Sequence, residues 1–240
     1  MLHEADIVIY VGEGLEEFLE KPLKSLAQNA VKFELLKQSG MKKLKFRERN
    51  IFEGHDDHGH DKKAKKEDHD DHGHDDHGHG HGEFDPHIWL DPMNAKIIIK
   101  KVTNQLSKLD KDNSSAYKSN SKKALKEIDN LIKQVKSDIN KSAKVVVFHD
   151  AYQYFEKRFD VNIIGALTVN TDVLPGAEQL AEIREVIEHE KVTCVLSEPQ
   201  FNPDIVKTIA NDTNINMDVL DPLGAKLDKG RTLYFNLISN

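Results

Sequence analysis

The last hundred residues alternate between short apolar runs and longer amphipathic segments, and few folds can accommodate that order. Four apolar runs read as strands, at 143–150, 161–167, 192–199 and 215–222. The segments between them have helical spacing, at 151–159, 176–191 and 202–213. Strands joined through helices lie parallel, so this order predicts an α/β fold with a parallel sheet flanked by helices.

The first half of the chain predicts a second α/β layer. The run Ala5–Val11 is apolar except for Asp6 and ends in a Gly-Glu-Gly turn, which is typical of a buried strand that leads into a helix near Leu15. A weak alternation at 42–51 predicts a further strand, and a helix is expected from Met93 to about Leu109.

A long amphipathic helix is predicted to follow, because apolar residues recur at helical spacing between Tyr117 and Ile139, with a cap near Asp112 or Asn113. We therefore predict two α/β lobes joined by a long rigid helix, with a cleft between the lobes. The expected boundaries are 1–110 for the N-terminal lobe, 111–141 for the linking helix and 142–240 for the C-terminal lobe.

A histidine-rich run at 55–82 interrupts the first lobe. It contains nine of the thirteen histidines, and the heptapeptide HDDHGHD occurs in it twice, at 55–61 and 69–75. Its only apolar residue is Ala64, so it cannot offset the entropy of ordering and is expected to be a mobile surface loop. Imidazoles held apart by acidic and glycine spacers predict many weak, fast-exchanging metal sites. The histidines are His55, His58, His60, His69, His72, His74, His77, His79 and His81.

Composition excludes several classes of function. The net charge is -7, and the histidine-rich run accounts for most of it, so no basic patch with interleaved aromatics points to nucleic acid. Cys194 is the only cysteine, which rules out a disulfide within the chain and a zinc site built on cysteine. The first residues lack a basic segment and a cleavage site, and no apolar run could span a bilayer. Taken literally, the chain is expected to be neither exported nor anchored.

Four polar residues are candidates for a metal site. Ligands of open parallel sheets bind beyond the carboxyl ends of the strands, which is where His149, Glu198 and Asp221 are expected. His87 lies in an apolar stretch of the other lobe. Two imidazoles and one carboxylate, from His87, His149 and Asp221, would suit zinc.

Each candidate also has an ordinary structural interpretation. A histidine at a strand end is most often only hydrogen-bonded, and Asp221 before a proline can simply begin a turn. Glu198 is equally consistent with helix entry or a hydrogen bond. His189 lies in a helix and is expected to be solvated, while His3 lies at the amino end of its strand, away from the site.

With these residues in view, the chain resembles the zinc-binding ZnuA-type proteins, the solute-binding components of ABC importers for transition metals. The matching stretches follow the family's order along nearly the whole chain: LHEADIVIYVGEGLEEFLEK at 2–21, the histidine-rich insert, DPHIWLDP at 85–92, VVFHDAYQYFEKRF at 146–159, VLSEPQFNP at 195–203 and VLDPLGAKL at 219–227.

The resemblance implies two lobes, one metal ion in the cleft, a periplasmic location and delivery to a membrane permease. It places His87 and His149 at ligand positions and Asp221 at the last one. In related manganese and iron binders the position of His149 is usually Glu, so histidine here favours Zn²⁺ over Mn²⁺. A monomer is expected.

The resemblance also implies that this chain begins inside the first lobe of the family. A strand, a helix, a signal peptide and a loop with the first metal-binding histidine would precede Met1, so we expect an incomplete first lobe and weaker binding than in an intact relative. The family's zinc members often pair the cysteine at the position of Cys194 with a second one, which this chain lacks.

These patterns predict a metal-capturing transport protein that catalyses no reaction. The loop gathers zinc, the preorganised cleft binds it more tightly, and a permease receives it. Two alternatives stay open. The protein could be a zinc buffer that acts through the loop alone, or a zinc-dependent hydrolase with Glu198 as base, although H-E-x-x-H and G-x-S-x-G are both absent.

Overall fold

The computed structural model of this chain describes residues 2–51, 83–169, 171 and 175–239, and its C-terminal half is a parallel sheet covered by helices. The elements of this half are β3 (Lys144–His149), α5 (Gln153–Phe159), β4 (Asn162–Thr168), α6 (Ala177–Glu190), β5 (Cys194–Ser197), α7 (Asp204–Thr213), β6 (Asn216–Val219) and α8 (Leu233–Ser239). The four strands lie side by side in the order β4-β3-β5-β6. The predicted α/β fold and its alternation of strands and helices are confirmed.

Strand β3 is the centre of this sheet because its sequence is apolar on both faces. It pairs in parallel with β4 on one side and with β5 on the other. Val146, Val147 and Phe148 are almost fully buried, as expected for a strand covered by helices on both sides. Its carboxyl end therefore opens at the middle of the sheet edge, where His149 stands.

The first half contains a smaller parallel sheet. Its elements are β1 (Ile7–Tyr10), α1 (Glu13–Glu16), α2 (Glu20–Ser25) and β2 (Val31–Glu34), together with 3₁₀ turns at Leu2–Glu4 and Glu17–Leu19. β1 and the helical segment after it were predicted. β2 was not, because its alternation of apolar and charged residues, Val-Lys-Phe-Glu, is only four residues long.

The strand predicted at 42–51 is wrong. This segment forms only two isolated antiparallel bridges, between Lys45 and Phe84 and between Ile51 and Gly165. Charged residues occupy much of the segment, so it has no continuous apolar face to pair along.

Two long helices, which follow the first sheet in the sequence, form a hairpin. Helix α3 spans Pro92–Leu109 and follows a 3₁₀ turn at Ile88–Leu90, and α4 spans Ser114–Asp138 and packs along α3. Both helices were predicted close to these bounds. Asn113 is the N-cap residue of α4, but the Asp110 carboxylate makes the local bonds, accepting from the Asn113 backbone N–H and the Tyr117 hydroxyl.

One apolar core connects the two halves of the chain. It includes Phe33 from β2, Ile88 from the 3₁₀ turn, Leu131 from α4 and Val147 from β3. The lobe boundaries 1–110, 111–141 and 142–240 stay predictions. None of the helices in the described ranges combines the length and apolar content that crossing a membrane requires.

Candidate metal centre

The two histidines singled out from the sequence face each other. His149 is the last residue of β3, and His87 immediately precedes the 3₁₀ turn that leads into α3. Their Nε2 atoms are 3.3 Å apart, and the ring planes are inclined by 60°. Residues 62 positions apart in the sequence are thus brought to one point beyond the carboxyl edge of the sheet.

A buried carboxylate supports each ring from behind. Asp85 Oδ1 lies 2.7 Å from Nδ1 of His87 and also accepts from the His87 backbone N–H at 2.9 Å. Glu198 Oε1 lies 2.7 Å from Nδ1 of His149 and 3.3 Å from its backbone nitrogen. An ionised carboxylate only accepts hydrogen bonds, so this contact favours a proton on Nδ1 of each ring, and a neutral ring with that tautomer has its lone pair on Nε2.

The distance between the Nε2 atoms matches the geometry of one tetrahedral zinc ion. With Zn–N bonds of about 2.0–2.1 Å, two imidazole nitrogens on one zinc lie about 3.3–3.4 Å apart. Histidine ligands typically donate their other ring N–H to a carboxylate, which fixes the tautomer and the ring orientation. The pair therefore has both the spacing and the support of a transition-metal site.

Aromatic rings line the pair and limit the access of water. Trp89 lies 5.3 Å from the His87 ring and Phe201 lies 5.6 Å from the His149 ring, between centroids. The two imidazole side chains are only 12% and 11% exposed. Burial and the neighbouring Glu198 carboxylate raise the pKa of Tyr152, whose ring also lies beside His149, so its hydroxyl stays protonated.

A second buried ionic group lies next to His149. Arg47 forms ion pairs with Asp150 and Glu156, which fixes its segment against the turn after β3. Burial raises the pKa of Asp150 to about 6, although the Arg47 guanidinium opposes the shift. None of these three residues was recognised in the sequence.

Asp221 follows β6 at the same edge of the sheet, but in this structure its carboxylate accepts hydrogen bonds from neighbouring loop residues. Its Oδ1 accepts from Gln200 at 2.7 Å and from the Leu223 amide, and its Oδ2 accepts from the Lys226 amide at 3.1 Å. Burial would raise the pKa of this carboxyl, but those hydrogen bonds outweigh it and keep the pKa below its ordinary value. Among the described residues, no three His, Cys, Asp or Glu side chains are grouped so that they could hold a metal ion.

Of the remaining candidates, only Glu198 lies at the imidazole pair. The histidine-rich run, with its nine predicted weak sites from His55 to His81, lies outside the described residues. His3 is solvated beside Glu4 at the amino end of β1, and His189 is solvated beside Glu190 at the end of α6, as expected. Glu198 is the hydrogen-bonding residue that one interpretation anticipated.

Sequence reasoning missed Asp85 and Gln153, which act behind His87. Gln153 donates to Asp85 Oδ2 at 2.6 Å, and Asp85 is completely buried. The motif Asp85-Pro86-His87 could have indicated Asp85, because the side chain of an aspartate two residues before a histidine can contact the imidazole ring. Nothing in the sequence pattern marks Gln153.

Together, the parallel sheet and the two imidazoles at its carboxyl edge, each hydrogen-bonded to a carboxylate, define an α/β protein with two potential ligands for a transition metal. The chain belongs to the ZnuA family, because the model described as "Zinc-uptake complex component A periplasmic" matches residues 1–240.

Named relatives agree with this assignment, and a solved structure shares the fold. The high-affinity zinc uptake system protein ZnuA of Brucella abortus (strain 2308) is 40% identical over 252 residues, which cover 100% of this chain and 75% of that protein. The ZnuA protein of Yersinia pestis is 34% identical and covers 99% of this chain and 74% of its own length. A crystal structure of ZnuA has a TM-score of 0.75 at 22% identity and covers 99% of this chain and 78% of that one.

Proposed function

We propose that this protein captures one Zn²⁺ ion between His87 and His149 and delivers it to the membrane permease of an ABC-type importer. The family is described as the periplasmic component of a zinc-uptake complex, which supports both the cargo and the location. Zinc is the transported ion, and no reaction is catalysed. The observation that carries the proposal is the 3.3 Å distance between the two Nε2 atoms.

That distance is informative because of the protons on the other ring nitrogens. Each Nδ1 donates to a carboxylate, so two neutral rings direct lone pairs at each other. Two lone pairs at this separation repel unless the positive charge of a shared proton or a metal cation lies between them. A zinc ion supplies that charge, and the distance is about the nitrogen–nitrogen edge of its tetrahedral shell.

We further propose that Asp221 supplies a third ligand. The lowered pKa keeps its carboxylate ionised at neutral pH, and it follows a neighbouring strand at the same sheet edge. On binding zinc, the Asp221 carboxylate would lose its hydrogen bond from Gln200 and coordinate the metal instead. A set of two imidazoles and a carboxylate favours zinc over manganese, which prefers oxygen ligands.

The histidine-rich run would act as the collector. Its nine imidazoles among acidic residues suit weak, rapidly exchanging zinc sites, and the two-histidine centre would draw zinc from them because its ligands are already ordered. As for the hydrolase alternative, one carboxylate oxygen of Glu198 is engaged by His149 and the other is buried, so neither is open to solvent water.

Deleting residues 55–82 tests which part of the chain holds zinc tightly. We expect the deleted protein to retain one tight zinc ion, measured by competition with a zinc-binding chromophore, because the imidazole pair remains. Adding His87→Ala or His149→Ala should abolish that site. His189→Ala is the control, since His189 is solvated, and it should change nothing. Loss of all binding on deletion alone would favour the buffer alternative and contradict our proposal.

A further inference from the structure

We propose that Gln153 is a positioning residue of the metal centre. Its side-chain amide fixes the Asp85 carboxylate, and that carboxylate fixes the ring of His87. The link to zinc rests on the proposed function, but the hydrogen-bond chain belongs to the metal-free protein and can be tested there.

Gln153 joins three segments through one amide group. It is the first residue of α5, four positions after His149, and it is 2% exposed. Its Nε2 donates to Asp85 Oδ2 at 2.6 Å and to the backbone oxygen of Lys45 at 3.0 Å. The two amide protons are thus both used inside the protein.

Asp85 passes this restraint on to His87. One carboxylate oxygen faces Gln153, and the other accepts from the His87 ring and from the His87 backbone N–H. Asp85 is completely buried, so rotating its carboxylate would leave a buried polar atom without a partner, which is costly. The orientation of the His87 ring therefore depends on the amide of Gln153.

The position of Gln153 in the fold gives this chain of bonds a consequence for metal binding. His149 ends β3, and Gln153 begins the helix that follows it directly. One short stretch of chain thus carries one ligand and positions the other. Removing the amide should free the His87 ring and leave the His149 ring, which Glu198 holds, in place.

Tyr154 provides a matched control for a purely structural role. It is 1% exposed, and its hydroxyl donates to the Asp85 backbone oxygen at 2.8 Å and accepts from the Leu44 amide at 2.9 Å. Tyr154→Phe therefore removes buried hydrogen bonds to the same segment without touching the Asp85 carboxylate. Gln153→Met removes both amide donors and keeps an unbranched side chain of similar length.

The first measurement uses the metal-free full chain. In NMR spectra, the Nδ1–H proton of His87, identified by its absence in His87→Ala, should be protected from exchange in the wild type and in Tyr154→Phe. It should exchange rapidly in Gln153→Met. Protection that persists in Gln153→Met, or rapid exchange in the wild type, would overturn the proposal. The measurement on the wild type tests the proposal even if Gln153→Met does not fold.

The second measurement uses zinc and Co²⁺. Zinc affinity should fall about tenfold or more in Gln153→Met, the usual effect of losing support behind a ligand, and stay near the wild-type value in Tyr154→Phe. The visible spectrum of bound Co²⁺ should change only in Gln153→Met. Equal losses in both variants would mean that Gln153 acts through stability. If the wild type binds no zinc, the proposed function fails, and the exchange measurement still decides the role of Gln153.

Discussion

At the scale of single residues, the carboxylates behind the imidazoles determine what the pair can bind. A ring that donates from Nδ1 to an ionised carboxylate is held in one tautomer and is a stronger electron donor at Nε2. Asp85 and Glu198 give both rings this support, and both carboxylates are nearly inaccessible to solvent. Their charge, not only their shape, should therefore contribute to zinc affinity.

Glu198→Gln tests that contribution. The amide oxygen can still accept from Nδ1 of His149, but the negative charge is lost, so zinc affinity should fall about tenfold or more while the fold is kept. Competition with a zinc chelator measures the affinity. The control is Glu190→Gln, since Glu190 lies beside the solvated His189, and it should have no effect. Equal affinity in Glu198→Gln and the wild type would show that the charge is irrelevant.

At the scale of secondary structure, helix α5 organises the segment that carries His87. Besides Gln153, it contributes Arg158, which makes a bidentate ion pair with Asp91 at 2.6 and 2.7 Å. Asp91 is the N-cap residue of α3 and accepts from the Met93 amide. One helix of seven residues thus fixes both ends of the stretch from Asp85 to Asp91.

The outer edge of strand β4 is hydrogen-bonded to residues of the first half of the chain. Asn50 accepts from the Ala166 amide at 2.8 Å and donates to the Leu167 oxygen, and Ile51 bridges to Gly165. A Cβ added at Gly165 would lie 2.7 Å from the Asn50 backbone oxygen, too close for these bonds to survive unchanged.

Gly165→Ala should therefore lower the free energy of unfolding by about 1–3 kcal/mol, the usual cost of overpacking. Urea denaturation of the metal-free protein measures it. Gly176→Ala is the control, because no atom of the described residues, apart from its chain neighbours, lies within 4 Å of a Cβ added at Gly176; it should cost less than Gly165→Ala, since only the preference of the α6 N-cap for glycine over alanine is lost. Two variants of equal stability would mean that the segment at Asn50 moves aside without cost.

At the scale of the whole molecule, the sequence predicted what depends on local pattern and missed what depends on distant pairing. The strand Lys144–His149 was predictable because burial on both faces makes its interior, residues 145–148, apolar, and the carboxyl-end rule then placed His149. β2 was missed because its alternation is short and carries charges. Gln153 and Asp85 lie 68 positions apart, so their contact follows only from the packing of α5, which no local pattern encodes.

Zinc should stabilise the folded protein through the imidazole pair and not through the histidine-rich run. The run can bind zinc whether the chain is folded or not, whereas His87 and His149 meet only in the folded state, and only a site specific to that state shifts unfolding. At a zinc concentration of about 100 times the dissociation constant, the gain is about 2.7 kcal/mol, or about 5–10 °C in melting temperature. Calorimetry should show this shift in the wild type and in the protein without 55–82, and no shift in His149→Ala. A chelator should reverse the shift. The shift should be smaller in acid, because protonated imidazole cannot bind zinc. A shift that disappears with 55–82 would instead place the stabilising zinc on the run.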